Sequence, residues 1–444
     1  MTEPAAEKIA MPTRRAVAAA TIGNALEFYD FITYSFFSIQ IGHAFFSNHT
    51  PYVSLMLSLA TFGAGFVTRP LGGIVLGLYS DRAGRRAAMM LSFTMMGCAI
   101  VTMALIPSYA TIGIAAPVLA IIARMVMGFS LGGEVGPNTA WLLEASPAGK
   151  RGLVVSWQGA SQNIAATAGG VVGMVLTVLL SASALDAYGW RIAFLLGAVT
   201  VPFGLWIRRG LPETLHVVEA ASAGVSRATT RLGAALESSR IIILGLIVLA
   251  AGTINSYVTD YMTTFAQDTL HMAMWPAFAV GAVSNLAAVA GTLYGGWLSD
   301  RIGRRPVMIW PNLAALLLTY PVFLWIVGAR STAALLIGMS ALSLVSNISA
   351  GGFFVALAES LPKSIRGGAF AIIYAVSIAA CGGTCQLVIR WLINVTGSPM
   401  APAWYLLAAA VAGQIALMMI RESAPARLGS LAQTKTGGIG VSAS

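Results

Sequence analysis

From residue 17 to residue 420 the chain is a succession of apolar runs, each about 20 residues long and separated by short polar stretches. A helical run of that length, rising 1.5 Å per residue, crosses a hydrocarbon core of ~30 Å. Twelve such runs can be drawn, at 17–46, 52–79, 88–106, 114–143, 153–180 and 192–207, then 241–266, 275–298, 307–328, 332–358, 368–392 and 403–420. Only 9% of the residues are charged and 57% are hydrophobic. For 444 residues, that balance makes lipid the main solvent and argues against a string of soluble domains.

The runs fall into two sets of six. GLYSDRAGRR at 77–86, after the second run, returns as GWLSDRIGRR at 296–305, after the eighth. EASPAGKRG at 144–152 returns as ESLPKSIRG at 359–367, so Glu144 matches Glu359 and Arg151 matches Arg366. The expected fold is an all-α membrane protein, two pseudo-symmetric six-helix bundles at 16–208 and 241–421. A cytoplasmic N-terminal segment at 1–15, a basic linker at 209–240 and a Gly- and Ser-rich tail at 422–444, read as disordered, complete the chain.

The net charge of +10 invites a nucleic-acid reading, but its placement answers otherwise. Of the 26 Lys and Arg residues only Arg191 and Arg330 fall on one side, while Arg69, Arg124 and Arg390 lie within runs. The rest crowd the opposite side, which places both termini in the cytoplasm by the positive-inside rule. Residues 1–12 lack a cleavable signal's apolar core, so the first run is retained. Cys98, Cys381 and Cys385 all lie in apolar runs and read as small packing residues. No metal site or other cofactor is expected, and no paired His and acid or nucleophile beside a base suggests an enzyme.

Charges inside the runs carry the functional reading. Each costs ~2.5–3.5 kcal/mol at mid-bilayer unless it finds a partner or a wet cavity. Arg69 lies ~18 Å above Asp81, while Glu27 and Arg124 each reach ~15 Å from opposite faces, so the three meet near the middle. A guanidinium binds a carboxylate through two parallel hydrogen bonds, so Arg69 and Arg124 point to an anionic substrate; the alternative is that they neutralise Glu27, Asp30 or Glu134 structurally. Arg390, near the outer end of its run, is expected to snorkel. Asn24, Gln158, Gln162, Asn255 and Tyr257 are further substrate-facing candidates. Proton coupling needs a carboxylate tuned by desolvation and a nearby cation, for which Glu27, Asp30 and Glu134 are the first-half candidates and Asp260 is the second-half one. Gly128, Gly132 and Gly136, every fourth residue before Pro137, give one helix a bare face for close approach.

At the cytoplasmic surface, Asp81, Arg82, Arg85 and Arg86 stand near Glu144 and Arg151, and Asp300, Arg301, Arg304 and Arg305 stand near Glu359 and Arg366. Ion pairs there would hold helix ends together in one state and release them in another. The plainer alternative is that these arginines only obey the positive-inside rule, although that rule would not repeat Asp, Gly and Glu at matched positions.

Twelve runs in two halves, with the paired Gly-x-x-x-Asp-Arg-x-Gly-Arg-Arg, resemble the major facilitator superfamily. GNALEFYDF at 23–31, Arg69-Pro70-Leu71-Gly72 and GFSLGGE at 128–134 resemble its metabolite:proton symporter family, most closely the citrate and tricarballylate branch. The resemblance implies alternating access, a proton as coupling ion, a motif latch at the cytoplasmic face, and uptake of a small carboxylate across a bacterial inner membrane by a monomer. A carrier of a zwitterion such as betaine or proline fits the same family but makes less use of two arginines. Drug antiporters' glycine-proline motif in the fifth run has no counterpart, since residues 159–170 contain no proline. A transporter-like sensor would need a signalling domain, for which neither linker nor termini leave room.

Overall fold

In a bilayer an unpaired backbone group has no water to bond, so a chain of isolated apolar runs must close its hydrogen bonds within each run. The computed structural model describes residues 14–83, 85–132, 139, 142–143, 146–209, 238–362 and 366–424, and the expected spans are helices. Span one is Arg14–Phe36 continued by Ser38–Phe45, and span two is Pro51–Val67 continued by Arg69–Ala83. Spans three to six are Arg85–Leu105, Ala115–Leu131, Arg151–Leu179 and Trp190–Arg209. Spans seven to ten are Ser239–Asp268, Met274–Ile302, Arg304–Ala329 and Thr332–Ser360. Span eleven joins Arg366–Ser377 to Gly383–Thr396, and span twelve is Ala401–Met419. Eight described helices meet the length and apolarity needed to cross a membrane, and Met90–Leu105 and Ala115–Leu131 are shorter apolar helices. Most of the linker and of the tail lie outside the described residues, although residues 422–424 are packed against the second bundle.

The glycine face of span four does what its spacing predicts. A Cβ on Gly128 would strike the backbone carbonyl of Gly65 in span two, and one on Gly132 that of Arg69; Gly136 and Pro137 lie outside the described residues. The rigid neighbour at Gly128 is backbone, so Gly128→Leu is expected to cost more than the ~1–3 kcal/mol of ordinary overpacking. Thermal unfolding in detergent checks this against Gly149→Ala, where a Cβ meets nothing within 4 Å.

Two irregularities aim the centre of the molecule. Span two breaks at Thr68, just before Pro70, which has no N–H to continue the ladder. The Thr68 hydroxyl donates to the carbonyl of Met125 in span four at 2.7 Å, which anchors the break. Span eleven widens into a π-turn at Ile378–Gly382, a feature often found at functional sites. There Gly382 leaves space for the rings of Tyr257 and Phe66, and Gly383 packs against Gly63.

The halves touch at both ends. At one end Ser38 of span one bonds Thr264 of span seven at 2.9 Å, Gln40 donates to Gln267 at 3.3 Å, and Gln386 of span eleven donates to Ser35. Phe37 and Phe278 meet there with ring centroids 4.8 Å apart. At the other end, which carries the repeated motif, the start of span five packs on the end of span eight so closely that Gly152 and Gly296 meet backbone to backbone.

Candidate substrate site and gates

Between these two sets of bridges lies a central cavity of about 160 Å³. Its walls are mostly amides, hydroxyls and aromatic rings: Gln162 and Asn163 from span five, Asn255, Tyr257 and Asp260 from span seven, Asn285 and Thr292 from span eight, Asn347 from span ten and Tyr374 from span eleven. Gln162 donates to the Tyr374 hydroxyl at 3.0 Å across the halves. Thr292 donates to Asn347 at 3.3 Å, and the Asn163 amide lies 3.5 Å from both. Among the described residues, Asp260 is the only charged side chain lining it.

Arg69 borders a smaller pocket of about 20 Å³ that shares Phe28, Tyr374 and Ile378 with the main cavity. Its side chain is 4% exposed, and its guanidinium lies 4.3 Å from the centroid of Phe31 and 4.6 Å from that of Phe66. Desolvated stacking of this kind gives about 2 kcal/mol or more, yet among the described residues Nε and Nη2 have no hydrogen-bond partner. Tyr257 of the other half packs edge-on against the same Phe66, at 5.5 Å.

Arg69 and Arg124 both rest on Phe31, but their surroundings differ. Arg124 is fully buried and stacks on Phe31, Tyr34 and Phe62 at 4.4, 4.6 and 5.1 Å. It lines neither pocket. Asn24 and Gln158 also depart from expectation. Asn24 donates to Ser161 at 2.6 Å, and Gln158 donates to Asn24 at 3.0 Å, so these two amides clamp span one to span five and do not line the cavity. Gln162, Asn255 and Tyr257 line it as expected. Glu27 and Asp30 lie on span one, but their side chains are outside what is described, as is Glu134 entirely. Asn163 and Thr292 are cavity residues not expected from the sequence, and Asn285 and Asn347, polar interior residues of the second half, were not among the expected substrate contacts.

The second copy of the repeated motif forms a network of ion pairs and hydrogen bonds between the halves. Asp300 accepts hydrogen bonds from the backbone N–H groups of Gly152 and Leu153, at 2.8 and 3.0 Å. A carboxylate of one half thus caps the positive end of a helix of the other. Arg304, fully buried, pairs with Asp300 at 2.7 Å and Glu359 at 3.2 Å, and Arg151 reaches Glu359 at 3.9 Å. Residues past span twelve join in: Glu422 accepts from the backbone of Arg304 and Arg305, and the Ser423 hydroxyl donates to Glu359 at 2.9 Å. Burial pushes the Glu422 carboxyl up, but N–H groups of Ala424, Arg304, Arg305 and Ser423 outweigh it and hold it below the usual carboxylate range.

Two expected gate residues are placed elsewhere. Arg301 is exposed and stacks on Trp297 of its own helix at 4.1 Å, and the Arg305 side chain donates to the Met418 carbonyl at 3.0 Å. Arg366 is buried. In the first copy, the side chains of Asp81, Arg82, Arg85 and Arg86 are outside what is described, and so is Glu144. Arg390 does not snorkel alone: it pairs with Asp268 at 2.9 Å and lies 4.9 Å from the ring of Tyr52 in the first half.

Two helical bundles that meet through bridges at both ends, around a central cavity lined by amides, hydroxyls and apolar side chains, define a membrane transporter and not an enzyme. The chain belongs to the Major Facilitator Superfamily, whose family model matches residues 20–384. It is 34% identical over 408 residues to a citrate-proton symporter of Salmonella typhi, covering 91% of this chain and 93% of that protein. It is 33% identical to the alpha-ketoglutarate permease of Escherichia coli K12, covering 94% and 96%, and 32% identical to that organism's proline/betaine transporter, covering 93% and 84%. The fold matches the crystal structure of a D-xylose-proton symporter with a TM-score of 0.73 at 18% identity, over 93% of this chain and 98% of that one.

Proposed function

We propose that the protein is a proton-coupled symporter that takes up a small organic anion, a di- or tricarboxylate such as citrate, by rocking its two halves about the central cavity. The observation that carries this is Arg69, a buried guanidinium whose Nε and Nη2 are unpaired among the described residues, beside a small pocket that shares Phe28, Tyr374 and Ile378 with the cavity. A buried charged donor without an acceptor is costly to keep, and a substrate carboxylate supplies the acceptors. The remaining carboxylate and hydroxyl groups face the amides and hydroxyls of Gln162, Asn163, Thr292 and Asn347. The similarity to citrate-proton symporters and to an alpha-ketoglutarate permease supports the same class. The protein then resides in a bacterial inner membrane as a monomer with cytoplasmic termini.

A second reading, a betaine or proline carrier, is favoured by the rings of Phe28, Phe354 and Tyr374 around the cavity, which suit a quaternary ammonium. Uptake of radiolabelled citrate, 2-oxoglutarate and glycine betaine into proteoliposomes, with and without an alkaline interior, separates them. Gradient-driven accumulation of a carboxylate is expected. Accumulation of betaine alone moves the protein to the second class, and accumulation of neither under a proton gradient overturns both.

A further inference from the structure

We propose that Asp260, oriented by Asn285, carries the coupled proton, which rests on the symport reading above and moves the coupling site from the first half to the second. Asp260 is 5% exposed and lines the central cavity. Its Oδ1 accepts from Asn285 Nδ2 at 3.2 Å. The same nitrogen donates to the carbonyl of Gly281 at 2.9 Å, and because a carbonyl can only accept, the amide must turn its NH2 to that side. Asn285 therefore offers Asp260 a donor and never an oxygen.

That geometry selects the cation. A metal ion at Asp260 would need several further oxygen ligands converging on it, and the nearest partner presents nitrogen. A proton needs only the carboxylate and an opening to the cavity, and both are present. Among the described residues, no Lys, Arg or His pairs with Asp260. The titratable groups around it are Tyr257 on its own helix and Tyr374 and Cys385 on span eleven; span eight contributes Asn285, span five contributes Gln162, and span one carries Glu27 and Asp30.

The link to substrate runs through one turn of helix. Tyr257 precedes Asp260 by three residues, on the same face, and packs on Phe66, whose ring also carries Arg69. Closing the halves around a dicarboxylate gathers two negative charges from substrate, one from Asp260 and one positive charge from Arg69. Taking a proton onto Asp260 removes one unpaired charge from a site that must lose its water. The loaded site then closes with less buried charge than the site holding anion alone.

The test uses the full chain in proteoliposomes, with radiolabelled citrate as probe and glycine betaine as the second. In wild type, an alkaline interior is expected to drive accumulation. In Asp260→Asn that accumulation is expected to fall to the level seen without a gradient, while exchange of external label for preloaded citrate continues and loses its dependence on pH. Asp260→Glu keeps gradient-driven accumulation, and Asn285→Leu shifts the pH of half-maximal uptake without abolishing it. Undiminished accumulation by Asp260→Asn, or accumulation in wild type driven by a sodium gradient instead, overturns the assignment. Loss of both exchange and citrate-induced thermal stabilisation in Asp260→Asn also overturns it, since it makes Asp260 a substrate contact. A wild type that accumulates neither probe under a proton gradient instead removes the symport reading.

Discussion

Arg69→Ala is expected to weaken citrate binding by on the order of a hundredfold and to reduce uptake at micromolar substrate to background. The size follows from hydrogen bonds to charged groups, about 1.5–3 kcal/mol each, of which a planar guanidinium makes two to one carboxylate. Two at the lower value give roughly 3 kcal/mol, and 1.4 kcal/mol is a factor of ten. Arg69→Lys keeps the charge but not the fork, so it is expected to recover only part of the affinity. The contrast is Arg124→Ala. Arg124 is fully buried on three aromatic rings and lines neither pocket, so its loss is expected to lower the unfolding temperature and leave KM nearly unchanged. Uptake kinetics together with citrate-induced shifts in thermal unfolding separate the two. Equal rises in KM for both variants would make Arg124 a substrate contact, and an unchanged KM in Arg69→Ala would remove the anion site from this pocket.

The apolar runs determine the fold because each must satisfy its own backbone in lipid, and the repeated Asp-Arg-x-Gly-Arg-Arg fixes how the runs divide. The glycine spacing of span four was equally readable, since Gly128 and Gly132 can serve only a close neighbour. The site was readable in depth but not in direction. Counting residues brought Arg69 and Arg124 to one level, where they share Phe31. It could not show that Arg124 would be enclosed by Tyr34 and Phe62 while Arg69 met a pocket, because that depends on which rings arrive from other spans. Asn24 and Gln158 failed for a related reason. A polar residue on a helix face faces either a cavity or a polar residue on the next helix, and periodicity alone does not distinguish them. The second half looked mild in sequence because most of its polar residues are neutral, yet Asn255, Asn285, Thr292 and Asn347 line much of the cavity. The Asn next to Gln162 in SWQGASQN was the one sequence signal for Asn163.

Arg304→Ala is expected to release the cytoplasmic latch. The guanidinium sits fully buried between Asp300 and Glu359, with a further hydrogen bond to Ser299 at 2.9 Å. Removing one partner of a buried ion pair costs about 3–5 kcal/mol, because the other charge stays buried without compensation. Here two carboxylates lose their strongest partner and keep weaker ones, the Gly152 and Leu153 N–H groups on Asp300 and Arg151 and Ser423 on Glu359, and hydrating them requires span five to part from span eight. That motion also takes Asp300 from the N–H groups of Gly152 and Leu153, so the helix cap and the ion pair fail together. A bias of this size moves a two-state equilibrium by at least a hundredfold. The measurement is the rate at which Asn163→Cys, in a background lacking Cys98, Cys381 and Cys385, reacts with a membrane-impermeant maleimide from the cytoplasmic side. Arg304→Ala is expected to raise that rate by tenfold or more and to slow net uptake, because the carrier now dwells facing inward. Arg301→Ala is the control: its side chain stacks on Trp297, away from the bridge, and labelling should stay at the wild-type rate. Equal acceleration in both variants would reduce the motif to surface charge, and no acceleration in Arg304→Ala would mean that the backbone contact of Gly152 with Gly296 holds the gate without it.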